Sequence, residues 1–131
     1  MSVRLRASKR VSAEDTLAMQ LSVCGFAEGV VRQFEYAPPR RLKADFLVWR
    51  SRFIGRAHEV LVEVQGGIYS RQGHGSVTGV LADIDRLNAA TVNGYRMLRF
   101  TPQMIDSGEA MTVIQKALFA YTPEERQRAV V

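Results

Sequence analysis

The chain has little cysteine and no long apolar run. Its single cysteine, Cys24, cannot form an internal disulfide, so a reducing cytoplasm is the expected compartment. No apolar run approaches the roughly 18 residues that a membrane span needs. The basic N-terminal residues are not followed by an apolar segment, which argues against a secretory signal. Neither membrane insertion nor secretion is therefore expected.

An excess of positive charge is the main compositional feature. The net charge is +5 and the isoelectric point is about 9.9. This balance suits a polyanionic partner such as DNA, although a basic protein can also simply be soluble and basic. The length of 131 residues fits one domain. We predict a flexible basic arm over residues 1–11, a single domain over 12–120 and a partly helical tail over 121–131.

Hydrophobic periodicity predicts a helix, three strands, a helix, a strand and a helical tail, in that order. The predicted strands cover residues 29–36, 43–50, 58–65 and 95–100. Three consecutive strands favour an antiparallel meander, and a long helix before the fourth strand favours a crossover to a parallel neighbour. The predicted fold class is therefore α/β (α+β), with a mixed central sheet flanked by helices.

Two helices carry clear sequence signals. Ser12 with Asp15 three positions later is typical of a helix N-terminus, and Cys24 falls on the apolar face of this first helix, where core packing is expected. In the second helix, apolar residues recur at the spacing i, i+3, i+4, i+7, which predicts an amphipathic helix. They are Val77, Val80, Leu81, Ile84, Leu87 and Thr91. The glycine-rich stretch before it, from residue 66, indicates a long and therefore functional loop.

Two of the acidic side chains in the predicted strands, Asp45 and Glu63, lie on consecutive strands. Alternation places Asp45 on the same face of its strand as Leu47, and it places Glu63 and Gln65 together on one face of the next strand. If these strands pair as a hairpin, the two carboxylates lie close together and repel each other, and a divalent cation removes that cost. Taken singly, a strand carboxylate more often faces solvent or pairs with an arginine. The combined spacing favours a Mg²⁺ site.

This spacing, D-(x)n-E-x-Q on consecutive strands, resembles the active-site pattern of the PD-(D/E)xK nuclease superfamily. Ala44-Asp45 stands where that family has Pro-Asp, Glu63-Val64-Gln65 stands where it has (D/E)-x-K, and Glu14 matches an acidic residue of its first helix. Small phage and bacterial very-short-patch-repair-like endonucleases are similar over a longer stretch, roughly residues 12 to 105. The segments that carry this likeness are PPRRLKADF, EVQGGIYSRQGHG, ADIDRLNAA and GYRMLRFTP.

The resemblance implies a restriction-endonuclease-like αβββαβ core and metal-dependent hydrolysis of DNA phosphodiester bonds. It implies a bacterial cell or a phage-infected host as the setting. The implied catalytic residues are Asp45, Glu63, Gln65 and Glu14. Mg²⁺, or Mn²⁺ in its place, would be held by Asp45, Glu63, the Val64 carbonyl and Glu14.

Gln65 departs from the family pattern, because a lysine normally occupies this position. The lysine positions the attacking water and stabilises negative charge, whereas a glutamine amide can orient a water but carries no charge. Some active members of the superfamily have glutamine here. Lys43, on the strand of Asp45, is a candidate source of the missing positive charge.

Basic residues near the site are the candidates for DNA contacts. The run that contains Arg40 and Arg41 is either a solvated turn or a set of phosphate contacts, and the neighbouring nuclease pattern favours the second. His74 is equally compatible with a surface loop and with a DNA contact, and Arg99 with DNA or solvent. The expected DNA-binding set is Arg40, Arg41, Lys43, Arg71, His74 and Arg99.

Two other functions remain open from the sequence. The chain could bind nucleic acid on the same fold with weak or no catalysis, or it could be a structural protein whose buried carboxylates pair with arginines. On the second helix, Asp83 and Arg86 are three residues apart and could simply pair with each other. Cutting both DNA strands usually takes two active sites, so a homodimer is plausible.

Overall fold

A computed structural model describes residues 11–26, 28–50, 58–65 and 77–119. Their order of elements confirms the predicted one. The elements are α1 (Ala13–Leu21), β1 (Val30–Glu35), β2 (Lys43–Trp49), β3 (Glu59–Val64), α2 (Val77–Val92), β4 (Met97–Phe100), α3 (Pro102–Asp106) and α4 (Glu109–Phe119). The predicted arm up to residue 10, the tail from residue 121 and the glycine-rich loop over residues 66–76 lie outside the described residues.

The described strands form one mixed sheet in the order β1-β2-β3-β4. Strands β1, β2 and β3 are antiparallel neighbours, and β3 pairs with β4 in parallel. A parallel pair needs a crossover connection, and α2 lies in this connection. The predicted mixed α/β architecture, with helices flanking a mixed sheet, is therefore confirmed.

Helix α1 begins at the predicted cap. The hydroxyl of Ser12 accepts a hydrogen bond from the backbone N–H of Asp15 at 3.1 Å, which satisfies one of the free donors of the first turn. Leu17 and Leu21 are fully buried. This buried side attaches the helix to the sheet, so that the first turn, including Glu14, lies close to β1.

The turn after α1 corrects the expectation for Cys24. A π-helical turn over Ser22–Phe26 follows the helix, and Gly25 within it has φ of 91°, which only glycine adopts readily. Phe26 is buried beyond this point, whereas Cys24 is exposed. The helical periodicity that placed Cys24 on the apolar face does not continue through the turn.

Two apolar clusters hold the described elements together. The larger one lies on the face of the sheet that α1, α3 and α4 cover, with Phe46, Val60 and Val62 contributed by the strands. The smaller one lies on the other face, where Leu61 packs with Ala90 of α2. The sheet is therefore covered on both faces, as predicted for helices that flank it.

Helix α2 is turned differently from the prediction. Its apolar stripe is exposed, with Val77 at 77% and Leu81 at 60%. The residues that face the protein are instead Gly79, Asp83, Arg86, Ala89 and Ala90. The periodicity correctly predicted a helix but indicated the wrong buried face, because two charged side chains of α2 have partners on the sheet.

Across the described ranges of the chain, no helix combines the length and the apolarity that crossing a bilayer requires.

Candidate active site

Asp45 is anchored to the end of β3. Its Oδ2 accepts a hydrogen bond from the backbone N–H of Val64 at 2.7 Å. The regular β2–β3 register begins one residue further on, at the pair Phe46 and Val62. The carboxylate thus accepts a backbone N–H at the point where the β2–β3 ladder ends. It lies beside Val64, the residue that follows Glu63.

Close to Asp45, the side chains of β1 and of β2 switch from one face of the sheet to the other. Arg32 and Phe46 are register partners, and the guanidinium of Arg32 lies 5.5 Å from the ring centroid of Phe46, which belongs to the larger cluster. The register partners two positions further along, Phe34 and Ala44, belong to the smaller cluster on the opposite face of the sheet. Residues two apart in a regular strand share a face, so the alternation is interrupted between these pairs.

The interruption falls on Gln33 and Asp45. Gln33 has φ of 52°, which is uncommon for a residue other than glycine. The register continues unchanged on either side of Gln33, so no residue is inserted as in a bulge. Asp45 therefore does not simply continue the face of Leu47, as strand alternation predicted, because Ala44 packs in the same cluster as Leu47.

Glu14 is connected to Asp45 through Gln33. The side-chain amide of Gln33 donates to Oε1 of Glu14 at 3.2 Å and to Oδ1 of Asp45 at 3.4 Å. Arg32 also donates to Glu14 at 3.0 Å and to Asp15 at 2.9 Å. These two hydrogen bonds raise the pKa of the Arg32 guanidinium above its usual value. The structure thus brings together two of the predicted acidic residues from α1 and β2.

Glu63 is 6% exposed and is the only charged side chain counted as buried among the described residues. Arg86 of α2 donates to its Oε1. The Nε of Arg99 on β4 lies 3.3 Å from its Oε2. Both oxygens of this carboxylate therefore lie against guanidinium groups, which offsets the cost of burying it.

Arg86 connects the helix to two strands. Besides Glu63 it donates to the carbonyl oxygen of Lys43 at 2.7 Å. Burial works against its charge, but the hydrogen bond and the attraction of Glu63 outweigh burial and raise its pKa. Arg86 thus pairs with the strand carboxylate, while Asp83 lies 3.9 Å from Arg99.

Gln65 follows the last residue of β3. Its backbone N–H donates to the carbonyl of Phe100 at 2.8 Å, which extends the parallel pairing by one residue. Its side chain is half-buried, and Lys43 on β2 is exposed. Val64, the carbonyl candidate, lies between Glu63 and Gln65 as the motif requires.

The predicted DNA contacts lie in different surroundings. Arg40 is exposed and is paired with Asp85 of α2, with Nη1 and Oδ1 3.2 Å apart, and this hydrogen bond lowers the pKa of the Asp85 carboxyl. Arg41 is exposed. Arg99 is only 21% exposed because it lies against Glu63. Arg71 and His74 lie outside the described residues.

Gln33 is a site residue that sequence reasoning missed. The strand pattern VVRQFE contains no glycine or asparagine to indicate a left-handed backbone within it. Its position could be anticipated only from the register, which puts it opposite Asp45. The sequence suggests Asp83 as a partner for Arg86, whereas in the structure Arg86 pairs with Glu63.

The sequence predicts a divalent cation at this site, and the oxygen atoms present show whether they are available to bind one. In the described part of the chain, no three acidic, histidine or cysteine residues are grouped as a metal centre. Mg²⁺ often uses only one or two carboxylates, with waters and phosphate as its other ligands. Oδ1 of Asp45 has one long contact of 3.4 Å and keeps lone pairs available. Oδ1 of Asp45 is therefore available to such an ion, whereas Glu63 would have to exchange an arginine for it, because both of its oxygens lie against guanidinium groups.

Comparison of this chain with protein-family models, with curated proteins and with solved structures gave no match, so the geometry of the site itself carries the functional argument.

Proposed function

We propose that this protein is a metal-dependent DNA endonuclease with a D-(x)n-E-x-Q active site on a restriction-endonuclease-like core. One observation carries the proposal. Asp45 is hydrogen-bonded to Val64 beside Glu63, and it is connected through Gln33 to Glu14. Glu14 of α1 and Asp45 of β2 are thus linked through Gln33, and Asp45 contacts the backbone of Val64, the residue that follows Glu63.

Asp45 and Glu63 would hold Mg²⁺ or Mn²⁺, with the Val64 carbonyl and Glu14 as further ligands, directly or through water. When bound, such an ion lowers the pKa of a coordinated water and neutralises charge on phosphate oxygens. Asp45, Glu63 and Val64 lie on strands, which are rigid supports for such a site, and Glu14 lies on α1.

Arg86 and Arg99 supply the positive charge that Gln65 lacks. A guanidinium binds carboxylate and phosphate oxygens with the same planar pattern of donors. A DNA phosphate that arrives beside Glu63 would therefore offer both arginines a second anion. Gln65, with a neutral amide, is left to orient a water molecule.

A cleavage assay tests this proposal. The protein is incubated with plain, nicked, mismatched and branched duplex DNA in Mg²⁺ or Mn²⁺. Cleavage is expected to require the metal and to fall by a factor of about 10 to 100 in Glu63→Gln and Asp45→Asn, because each variant removes a charged ligand, and circular dichroism under the assay conditions checks that each variant is folded. Asp106→Asn, an exposed carboxylate on α3, is the matched control. Cleavage that survives in both site variants, or none on any substrate, would exclude the nuclease.

One observation favours the two alternatives that need no metal. Both oxygens of Glu63 lie against arginines, so the carboxylate has its charge balanced without a metal, as expected for a structural protein with arginine-paired carboxylates and for a nucleic-acid-binding protein without catalysis. The nucleic-acid-binding alternative predicts binding that weakens with salt and needs no divalent ion. Titration of a fluorescent duplex with and without chelator distinguishes the two, and calorimetric detection of Mn²⁺ at the carboxylates would argue against it.

The assembly that this function implies is a homodimer if both DNA strands are cut, because each copy provides one site. Light scattering in the presence of duplex DNA measures this directly. A monomer that nicks one strand is the other outcome.

A further inference from the structure

We infer that Gln33 is a positioning residue, which fixes the carboxylate of Asp45 relative to Glu14 through its side-chain amide. The role that this gives Gln33 in a metal site rests on the proposed function. The positioning itself is a property of the fold and can be measured without DNA or metal.

The backbone of Gln33 is the first observation. Its φ of 52° lies in the left-handed region, which a residue with a Cβ enters at an energetic cost. Gln33 is exposed, so burial of its side chain does not repay this cost. Unfavourable backbone of this kind persists where surrounding contacts enforce it, and it is concentrated at functional sites.

The contacts of the amide are the second observation. One NH₂ group has two hydrogens, and here they serve Glu14 at 3.2 Å and Asp45 at 3.4 Å. A neutral donor between two carboxylates reduces their repulsion. It adds no positive charge of its own, and the positive charge at the same oxygen of Glu14 comes from Arg32 at 3.0 Å.

The orientation of Asp45 follows from two donors on different sides. The N–H of Val64 holds Oδ2 at 2.7 Å, and the amide of Gln33 contacts Oδ1. The short contact to Val64 holds one oxygen, and the longer contact to Gln33 limits rotation of the carboxylate about it. The left-handed backbone also accompanies the change of face by which β1 and β2 move from one apolar cluster to the other.

Four variants separate the amide from the backbone. Gln33→Ala keeps the unfavourable φ and removes the amide, whereas Gln33→Gly removes the amide and relieves the backbone. Gln33→Asn keeps an amide and tolerates a left-handed backbone, so it should rescue in part. Glu35→Gln, an exposed change on the same strand, is the control.

The first measurement is a double-mutant cycle of Gln33→Gly with Asp45→Asn, followed by urea unfolding. Neighbouring groups that interact give non-additive effects, and independent ones give additive effects. Non-additivity supports the positioning role whether or not the protein binds metal. Additivity overturns it.

The second measurement is the affinity for Mn²⁺ and the cleavage kinetics of the same variants. Loss of a group that orients a ligand lowers metal affinity or activity by about 10- to 100-fold, so Gln33→Gly and Gln33→Ala should lose alike despite different stabilities. The KM for DNA should stay unchanged while kcat falls. Wild-type affinity and kcat in Gln33→Gly would overturn the inference. If the wild-type protein binds no Mn²⁺ and cuts no DNA, the proposed function fails, and the cycle still decides about Gln33.

Discussion

Arg86 of α2 and Glu63 of β3 form an ion pair in which the carboxylate is almost completely buried and the guanidinium is 26% exposed. This pair explains why α2 presents charged side chains to the sheet and leaves its apolar stripe outside. It also places a cation where a metal would have to bind.

Removal of Arg86 should therefore make the site more accessible to a metal. We expect Arg86→Met to raise the affinity for Mn²⁺ several-fold, because the ion no longer competes for Oε1 of Glu63, and to weaken DNA binding. Isothermal titration with Mn²⁺ and a fluorescence titration with duplex DNA measure the two effects. The matched control is Lys116→Met, an exposed cation of α4. An unchanged Mn²⁺ affinity would contradict the competition.

The stability of the fold should depend on Glu63. Glu63→Gln removes the negative charge between two arginines, and breaking a buried pair costs about 3–5 kcal/mol. We expect the lower end of that range, since Arg86 and Arg99 keep some contact with water. Urea unfolding measures the loss. The exposed pair of Arg40 and Asp85 provides the contrast, and Asp85→Asn should leave stability almost unchanged.

The exposed face of α2 gives a direct test of how the helix is oriented. Ile84→Gln changes an exposed side chain and should alter the free energy of unfolding by no more than about 0.5 kcal/mol. Leu61→Ala, at a fully buried position beneath the same helix, should cost about 2–5 kcal/mol. Similar losses in the two variants would show that the apolar stripe is buried after all.

The buried phenol of Tyr36 should make the protein less stable in alkali. Burial raises the pKa of Tyr36, so the unfolded chain ionises first as the pH passes about 10. The contribution of the neutral, buried phenol to the free energy of unfolding is complete below that pH. It is lost as the pH rises towards the pKa of Tyr36 in the folded protein. Urea unfolding at pH 8 and pH 10.5 should show a steeper loss for the wild-type protein than for Tyr36→Phe. An equal loss of stability in the wild-type protein and in Tyr36→Phe would show that Tyr36 does not cause the loss in alkali.

Sequence reasoning succeeded where local chemistry decides the structure. The hydroxyl of Ser12 caps α1 as predicted, and three strands with a crossover helix have the predicted pairing. Cap chemistry and the alternation of β-branched residues act over a few residues, so they can be read without knowledge of the tertiary fold.

The features that were missed depend on distant partners. The apolar stripe of α2 indicated a buried face, but Arg86 finds its partner on β3, 23 positions away. The left-handed backbone of Gln33 leaves no trace in the residue type, and the partners of its side chain lie on α1 and β2. Gln65 is the remaining departure from the expected pattern, and the guanidinium groups of Arg86 and Arg99 lie beside Glu63, two residues before it.

The most direct test of the proposed metal site is anomalous scattering from a crystal soaked in Mn²⁺. We expect a peak bonded to one oxygen of Asp45 and one of Glu63 at about 2.1 Å, with Arg86 withdrawn from Oε1. Ordered crystals in millimolar Mn²⁺ with no peak there, and with Arg86 still paired to Glu63, would contradict it.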